Sequence, residues 1–325
     1  VSQTANDLDT AMERLQVGIN DENTTLTSQN YQDATPDKKV NYTSAIQNAK
    51  AILNPNGPNK NKAQVEKALG QVKTAKDALD GQRLLEQAKQ NAIQQLQQLT
   101  HLTNAQKDAL TTQINGGATI SDVQATEATA GNLDNAMDAL KQSIADQATV
   151  RNNEDYHDAS PDNQNAYNNA IHAAEGIINA ANNPELNADT ITAKAQQVIQ
   201  AKSDLNGDEN LATAKQNAQA YLNTLPRLTD QQKDAINTNI TKARNIDAVN
   251  QIKQAAQSLN SAMNDLQNAV NNQPQVTSTV DYTDADTNKQ QAYNDAITAA
   301  QAILNKTTGP NTAQNKVEEA LQRIT

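Results

Sequence analysis

A segment that occurs three times limits the folds open to this chain more than any other part of its sequence. It runs from Tyr31 to Asn54, from Tyr156 to Asn179 and from Tyr282 to Asn305, so the period is near 125 residues. Six of the seven tyrosines lie in these copies: Tyr31, Tyr42, Tyr156, Tyr167, Tyr282 and Tyr293. With no Trp and no Phe in the chain, these rings are the largest apolar groups it can bury. A period this long exceeds one solenoid unit and leaves room for two small bundles per repeat.

The apolar residues inside each period recur in steps of three and four, the spacing of one helical face. Leu8, Met12, Leu15 and Ile19 return as Leu133, Met137, Leu140 and Ile144, then as Leu259, Met263, Leu266 and Val270. The last stripe extends back through Ala256, Ile252 and Val249, with no Gly or Pro from Asp247 to Asn272. That spacing predicts one helix about 39 Å long. The preceding long stripe carries Gly131 at its middle, which costs about 1 kcal/mol in a helix. Ser121 and Asp247 are the expected caps.

After the first Tyr of each copy comes a polar turn. Thr35-Pro36 and Ser160-Pro161 read as an N-cap followed by Pro at the first helical position, and Asp286-Thr287 keeps the cap without the Pro. The helix that follows carries the second Tyr and an Ala/Ile stripe. An Asn/Pro/Gly loop leads to a third helix, expected to stop at Asp80-Gly81 and Asn206-Gly207 as helices stop at glycine. The other half of the period holds Thr103-x-x-Gln106 and Thr229-x-x-Gln232, each a capping box. The expectation is six helical stretches per period, in two sets of three.

Composition narrows the functions. The formal charge of −11 gives nucleic acid no basic face and an anionic membrane no attraction. No apolar run approaches the length of a membrane span. The absence of cysteine excludes disulfides and thiol chemistry. An enzyme repeated in tandem should repeat its catalytic residues, and the histidines do not recur: His101 aligns with Arg227, His157 with Gln32 and Thr283, and His172 with Gln47 and Thr298. Asp33, Asp158 and Asp284 do recur, as do Asp108 and Asp234, and they read as caps and solvation at helix N-termini. Asp281, Asp284 and Asp286 lack the Gly and distal Glu of a calcium loop. No catalytic, cofactor or metal residue is expected.

The half from Leu133 to Leu205, with its Leu-x-x-x-Met stripe and Tyr turn, resembles the FIVAR module. The half bearing Ala88-Lys-Gln-Asn-Ala and Leu99-x-x-Leu102-Thr103-x-x-Gln106-Lys-Asp-Ala resembles the GA module, a three-helix fold. Their alternation is similar to that of giant staphylococcal cell-surface proteins. The resemblance implies an all-α chain of tandem three-helix bundles, joined by long continuous helices into an elongated rod. It implies FIVAR-like bundles at 1–81, 131–207 and 258–325, the last cut within its third helix, and GA-like modules at 82–130 and 208–257. It also implies a monomeric extracellular segment of a longer anchored protein that binds host fibronectin or another matrix protein. The alternatives are a spacer without ligand and an albumin binder. The second is disfavoured because no aromatic residue lies in Thr103–Leu110 or Thr229–Ile236. The expected structural signature is the six repeat tyrosines with Met12, Met137 and Met263. Which residues meet a ligand is not legible.

Overall fold

The computed structural model describes residues 2–325, and every regular element among them is an α-helix. The first FIVAR-like copy comprises α1 (Gln3–Ile19), α2 (Glu22–Thr27), α3 (Gln29–Gln32), α4 (Pro36–Leu53) and α5 (Lys62–Asp77). The first GA-like set is α6 (Gly81–Gln98), α7 (Asn104–Gly116) and α8 (Ile120–Ile144). The second copy continues with α9 (Gln147–Arg151), α10 (Glu154–His157), α11 (Pro161–Ile178) and α12 (Ala188–Ser203). The second GA-like set is α13 (Gly207–Asn223), α14 (Asp230–Lys242) and α15 (Ile246–Asn271). The third copy ends with α16 (Gln273–Thr277), α17 (Val280–Thr283), α18 (Thr287–Leu304) and α19 (Gln314–Ile324). The chain falls into two compact units: residues up to 144 with 172–197, and residues 145–171 with 198–325.

In the first unit α1, α4 and α5 close a bundle around Leu15, Tyr42, Ile46, Ala49, Val65 and Val72. Alanines at 11, 49 and 68 let the helices approach closely, while the branched residues fill the gaps between them. Each fully buried Leu, Ile or Val contributes about 1.5–3 kcal/mol of transfer free energy. Next in the same unit, α6, α7 and α8 pack on one another. In the second unit α15 serves two bundles at once, packing on α13 and α14 and also on α18 and α19. The expected uninterrupted helix is therefore present, 26 residues long, with Val249, Ala256, Leu259, Met263, Leu266 and Val270 buried along it. Its counterpart α8 runs unbroken through Gly131.

Four local expectations are corrected. The Tyr turn is not merely a turn, since two short helices precede each second Tyr helix: α2 and α3, α9 and α10, α16 and α17. Their Thr, Ser and Asn caps are local hydrogen bonds that leave no apolar periodicity to read. The long helices are capped two residues before Ser121 and Asp247. Thr119 Oγ1 accepts from Asp122 N at 3.2 Å, and Asn245 Oδ1 accepts from Ala248 N at 2.8 Å. Thr35 makes no side-chain cap bond, because its hydroxyl turns toward Asp80. Finally, Gly81 and Gly207 do not stop a helix in the left-handed conformation. No glycine among the described residues has positive φ, and these two open α6 and α13.

Candidate functional site

With no catalytic constellation repeated, the recurrent chemistry of this chain lies where one bundle meets the next. Two kinds of joint exist, and each is built twice.

The first kind docks the Tyr turn onto the module that follows it. The Asp33 carboxylate accepts the backbone N–H of Ile120, first residue of α8, at 3.0 Å. Asp158 does the same for Ile246, first residue of α15, at 2.9 Å. The recurrent aspartates thus cap helix N-termini, as their chemistry suggests, but the helices lie 87 and 88 residues further along the chain. A carboxylate there satisfies an N–H with no intrahelical acceptor and sits at the positive end of the helix dipole. Beside it, Gln82 N donates to Asn30 Oδ1 at 2.9 Å and Asp208 N to Asp155 Oδ1 at 3.1 Å. The glycines explain themselves here. A Cβ on Gly81 would stand 2.4 Å from the Asn30 carbonyl oxygen, and one on Gly207 2.2 Å from that of Asp155. Only a residue without a side chain lets the two backbones meet.

The residue before each glycine completes the joint. Asp80 Oδ1 accepts from Thr35 N at 2.9 Å, and its other oxygen pairs with Lys38 at 3.0 Å and Arg83 at 3.2 Å. The Thr35 N–H, helped by Lys38 and Arg83, outweighs the effect of burial and lowers the Asp80 pKa to about 2. In the second joint Asn206 Oδ1 accepts from Ser160 N at 2.8 Å. Asn163 and Glu209 occupy the places of Lys38 and Arg83.

The second kind of joint docks the Asn/Pro/Gly loop of a FIVAR-like copy onto the capping box before it. Both capping boxes form, with side chain and backbone bonds in each direction. Their glutamines are fully buried, and each spends its amide N–H on a distant loop. Gln106 Nε2 donates to Glu185 O at 2.9 Å, and Gln232 Nε2 to Thr312 O at 2.9 Å. Gln232 also lies 3.7 Å from Met263 Sδ, which places the methionine at this joint. Asp230 N donates to Lys306 O at 3.0 Å. His101 is structural as well: its backbone N–H and Nδ1 meet the Asp134 carboxylate at 2.8 and 2.9 Å. Burial alone would raise the Asp134 pKa, but the His101 ring and backbone hydrogen bonds prevail and lower it. In the next copy Arg227 N donates to Asn260 Oδ1 at 3.0 Å, which keeps the backbone contact without a histidine.

The signature residues are distributed as follows. Tyr42 and Tyr167 are 1% and 0% exposed, and Tyr293 is half-buried. Tyr31, Tyr156 and Tyr282 lie partly exposed, each edge-on to its partner ring with centroids 5.9, 6.1 and 5.7 Å apart. Asn168 and Asn294 donate to the Tyr156 and Tyr282 hydroxyls at 2.8 and 2.9 Å. The Tyr42, Tyr167 and Tyr293 hydroxyls are buried without a hydrogen-bond partner, and burial raises the pKa of all three. Near Tyr42 the Thr25 side chain offsets part of that rise without reaching hydrogen-bond geometry. Met137 and Met263 are buried and Met12 half-buried. Leu110, Ile114 and Ile240 of the GA-like sets are core residues, not surface contacts.

Elsewhere large hydrophobic residues are exposed at Val17, Val40, Ile199 and Val280. An open groove of about 780 Å³ between α4 and α5 is lined by Lys38, Ser44, Ala45, Lys67, Thr74 and Ala78, among others. Among the described residues no group of three or more His, Cys, Asp or Glu stands close enough to hold a metal ion. Among the described residues no helix is long and apolar enough to cross a membrane.

The joints were reachable from sequence only in part. Recurrence of Asp33 with Asp158, and of a glycine at 81 and 207, marked these positions as constrained. Nothing in the sequence named their partners.

Comparison with known proteins agrees with this modular reading. The FIVAR domain profile matches residues 11–80, 136–206 and 262–325, and the GA module profile matches 82–136 and 208–262. The chain is 59% identical over its whole length to the extracellular matrix-binding protein EbhB of Staphylococcus aureus, and spans 8% of that protein. It is 48% identical over 99% of its length to extracellular matrix-binding protein EbhA of S. aureus, and spans 5% of it. The crystal structure of the 756–1003 domain of EbhA superimposes with a TM-score of 0.72 at 41% identity, covering 76% of this chain and 98% of that one. An all-α chain in which FIVAR and GA sets alternate, matched by both profiles, thus belongs to the FIVAR domain family, with GA modules set between its FIVAR domains.

Proposed function

We propose that this chain is a non-enzymatic segment of a bacterial cell-surface matrix-binding protein, and that it acts both as a stalk and as a multivalent adhesive surface. The observation that carries the stalk reading is the pair of joints, each repeated with the same bond geometry: Asp33 to Ile120 and Asp158 to Ile246, Gln106 to Glu185 and Gln232 to Thr312. A side chain that satisfies the backbone of the next module resists bending more than a flexible linker does, because a sheared joint leaves polar groups unpaired. The long helices reinforce this, since a bundle that shares a helix with its neighbour cannot swivel freely about it. The domain limits we propose are 1–81, 82–130, 131–207, 208–257 and 258–325.

The adhesive reading rests on the names of the relatives, which describe extracellular matrix binding. Host fibronectin is the matrix protein we propose, bound weakly by each repeat, with copies adding through effective concentration. The chain works as a monomer at the cell surface, without cofactor, nucleic acid or membrane contact. Small-angle scattering tests the stalk: a strongly anisotropic particle is expected, and a compact one refutes it. Surface-bound fibronectin tests adhesion with arrays of two and ten repeats. Affinity should climb steeply with repeat number, and equal, negligible binding by both arrays reduces the segment to a spacer.

A further inference from the structure

The chain contains three Asn-Gly pairs, at 56–57, 115–116 and 206–207. Asn-Gly is the dipeptide most open to attack of the following backbone nitrogen on the side-chain amide, because glycine offers that nitrogen no steric cover. The three pairs differ in what holds the nitrogen. Gly57 N–H donates to Asn54 O at 2.8 Å. Gly116 is the last residue of α7, so its N–H belongs to the helical ladder. Gly207 is the first residue of α13, and its N–H has no acceptor within its own helix. It is also the glycine that packing demands, since a Cβ there would strike the Asp155 carbonyl. The reactive pair cannot be relieved by a bulkier neighbour.

We propose that Asn206-Gly207 is a site of spontaneous deamidation, and that the reaction loosens the second FIVAR–GA joint. The Gly207 nitrogen attacks Asn206 Cγ and loses its proton to the departing amide, which leaves as ammonia. Water then opens the cyclic imide at either carbonyl, giving aspartate or isoaspartate. Neither product suits the joint. Isoaspartate adds a methylene to the backbone and removes the oxygen that accepts from Ser160 N at 2.8 Å. Aspartate keeps the oxygen but brings a charge that this joint does not balance. In the first joint Asp80 is paired with Lys38 and Arg83, whereas residue 206 has Asn163 and Glu209 at those places. Residue 80 sits in a set with two cations, and residue 206 has neither of them. The side-chain bond to Ser160 must open before the imide can form, so the rate of conversion reports opening of the joint.

The test uses the intact chain, held in mildly alkaline buffer and mapped by peptide mass spectrometry. Conversion at Asn206 should be detected beside any conversion at Asn56 and Asn115; an Asn206 that stays intact while the other two convert overturns the assignment. In parallel, Asn206→Asp should reduce hydrogen-exchange protection at Ser160 and Ile246 several-fold, and adding Glu209→Arg with Asn163→Lys should restore it by importing the charged set. Unchanged protection in Asn206→Asp, or no recovery with the added cations, refutes the loosening.

Discussion

The two FIVAR–GA joints share their geometry and differ in their electrostatics. Both use a glycine to bring backbones together and an aspartate to cap the long helix of the following module. They part at Asp80 against Asn206 and at Asn30 against Asp155, and the residues at the neighbouring places change too: Lys38 and Arg83 in the first, Asn163 and Glu209 in the second. The shared features answer to sterics and to unsatisfied backbone groups, which admit few solutions. The variable feature answers to charge balance, which any complementary set can supply. A buried carboxylate is tolerable only with its partners, and a neutral amide needs none.

The sharpest way to break this comparison is to fill the shared contact. Gly81→Ala and Gly207→Ala should each destabilise by about 1–3 kcal/mol through overpacking, with equal losses at the two joints in chemical denaturation. A large difference between them would mean that the close approach is not their common basis. Next in size come the caps. Asp33→Ala and Asp158→Ala should each cost about 0.5–2 kcal/mol, as loss of an N-cap does, and amide exchange at Ile120 or Ile246 should accelerate while the Tyr42 and Tyr167 cores stay protected.

Acid sharpens the contrast between the joints. The Asp80 pKa is lowered from 3.8 to about 2 in the folded chain. A depressed folded pKa contributes stability that is present above the unfolded value and lost as pH falls through the folded one. The first joint should therefore weaken between pH of about 4 and about 2, seen as lost amide protection at Thr35. The Asn206–Ser160 bond has no such titrating group, and Asp80→Asn should abolish the difference. The smallest effect concerns the cores beneath the joints. Tyr42→Phe and Tyr167→Phe remove hydroxyls that have no partner, so stability should stay within about 1 kcal/mol of the parent or rise. A loss of several kcal/mol in thermal melts would reveal a bond that the geometry does not contain.

Much of the architecture was legible because it is local. The stripe from Val249 to Val270 is a spacing of three and four, and α15 follows it almost to the residue. The capping boxes at Thr103 and Thr229 close over three residues, so each carries its whole signal in four letters. The short helices α3, α10 and α17 escaped notice because four residues hold no period. Glycine was misread for a related reason. Gly81 and Gly207 follow an apolar stripe as a helix stop would, yet the constraint on them comes from a carbonyl 51 or 52 residues earlier in the chain.

By itself the sequence determined the repeat, the helical faces, the local caps and the absence of any repeated catalytic set, since each depends on residues within a few positions of one another. Only the tertiary structure decided what Asp33, Asp158, Gln106 and Gln232 are for. Their partners lie between 79 and 88 residues away. A hydrogen bond over that separation leaves no spacing to read, only a residue that returns in every copy. The Tyr turn belongs on both sides of this division. Its rings were recognisable as core from composition, while its role in holding the next module emerged only when the folded chain brought Asp33 and Asp158 to the ends of the long helices.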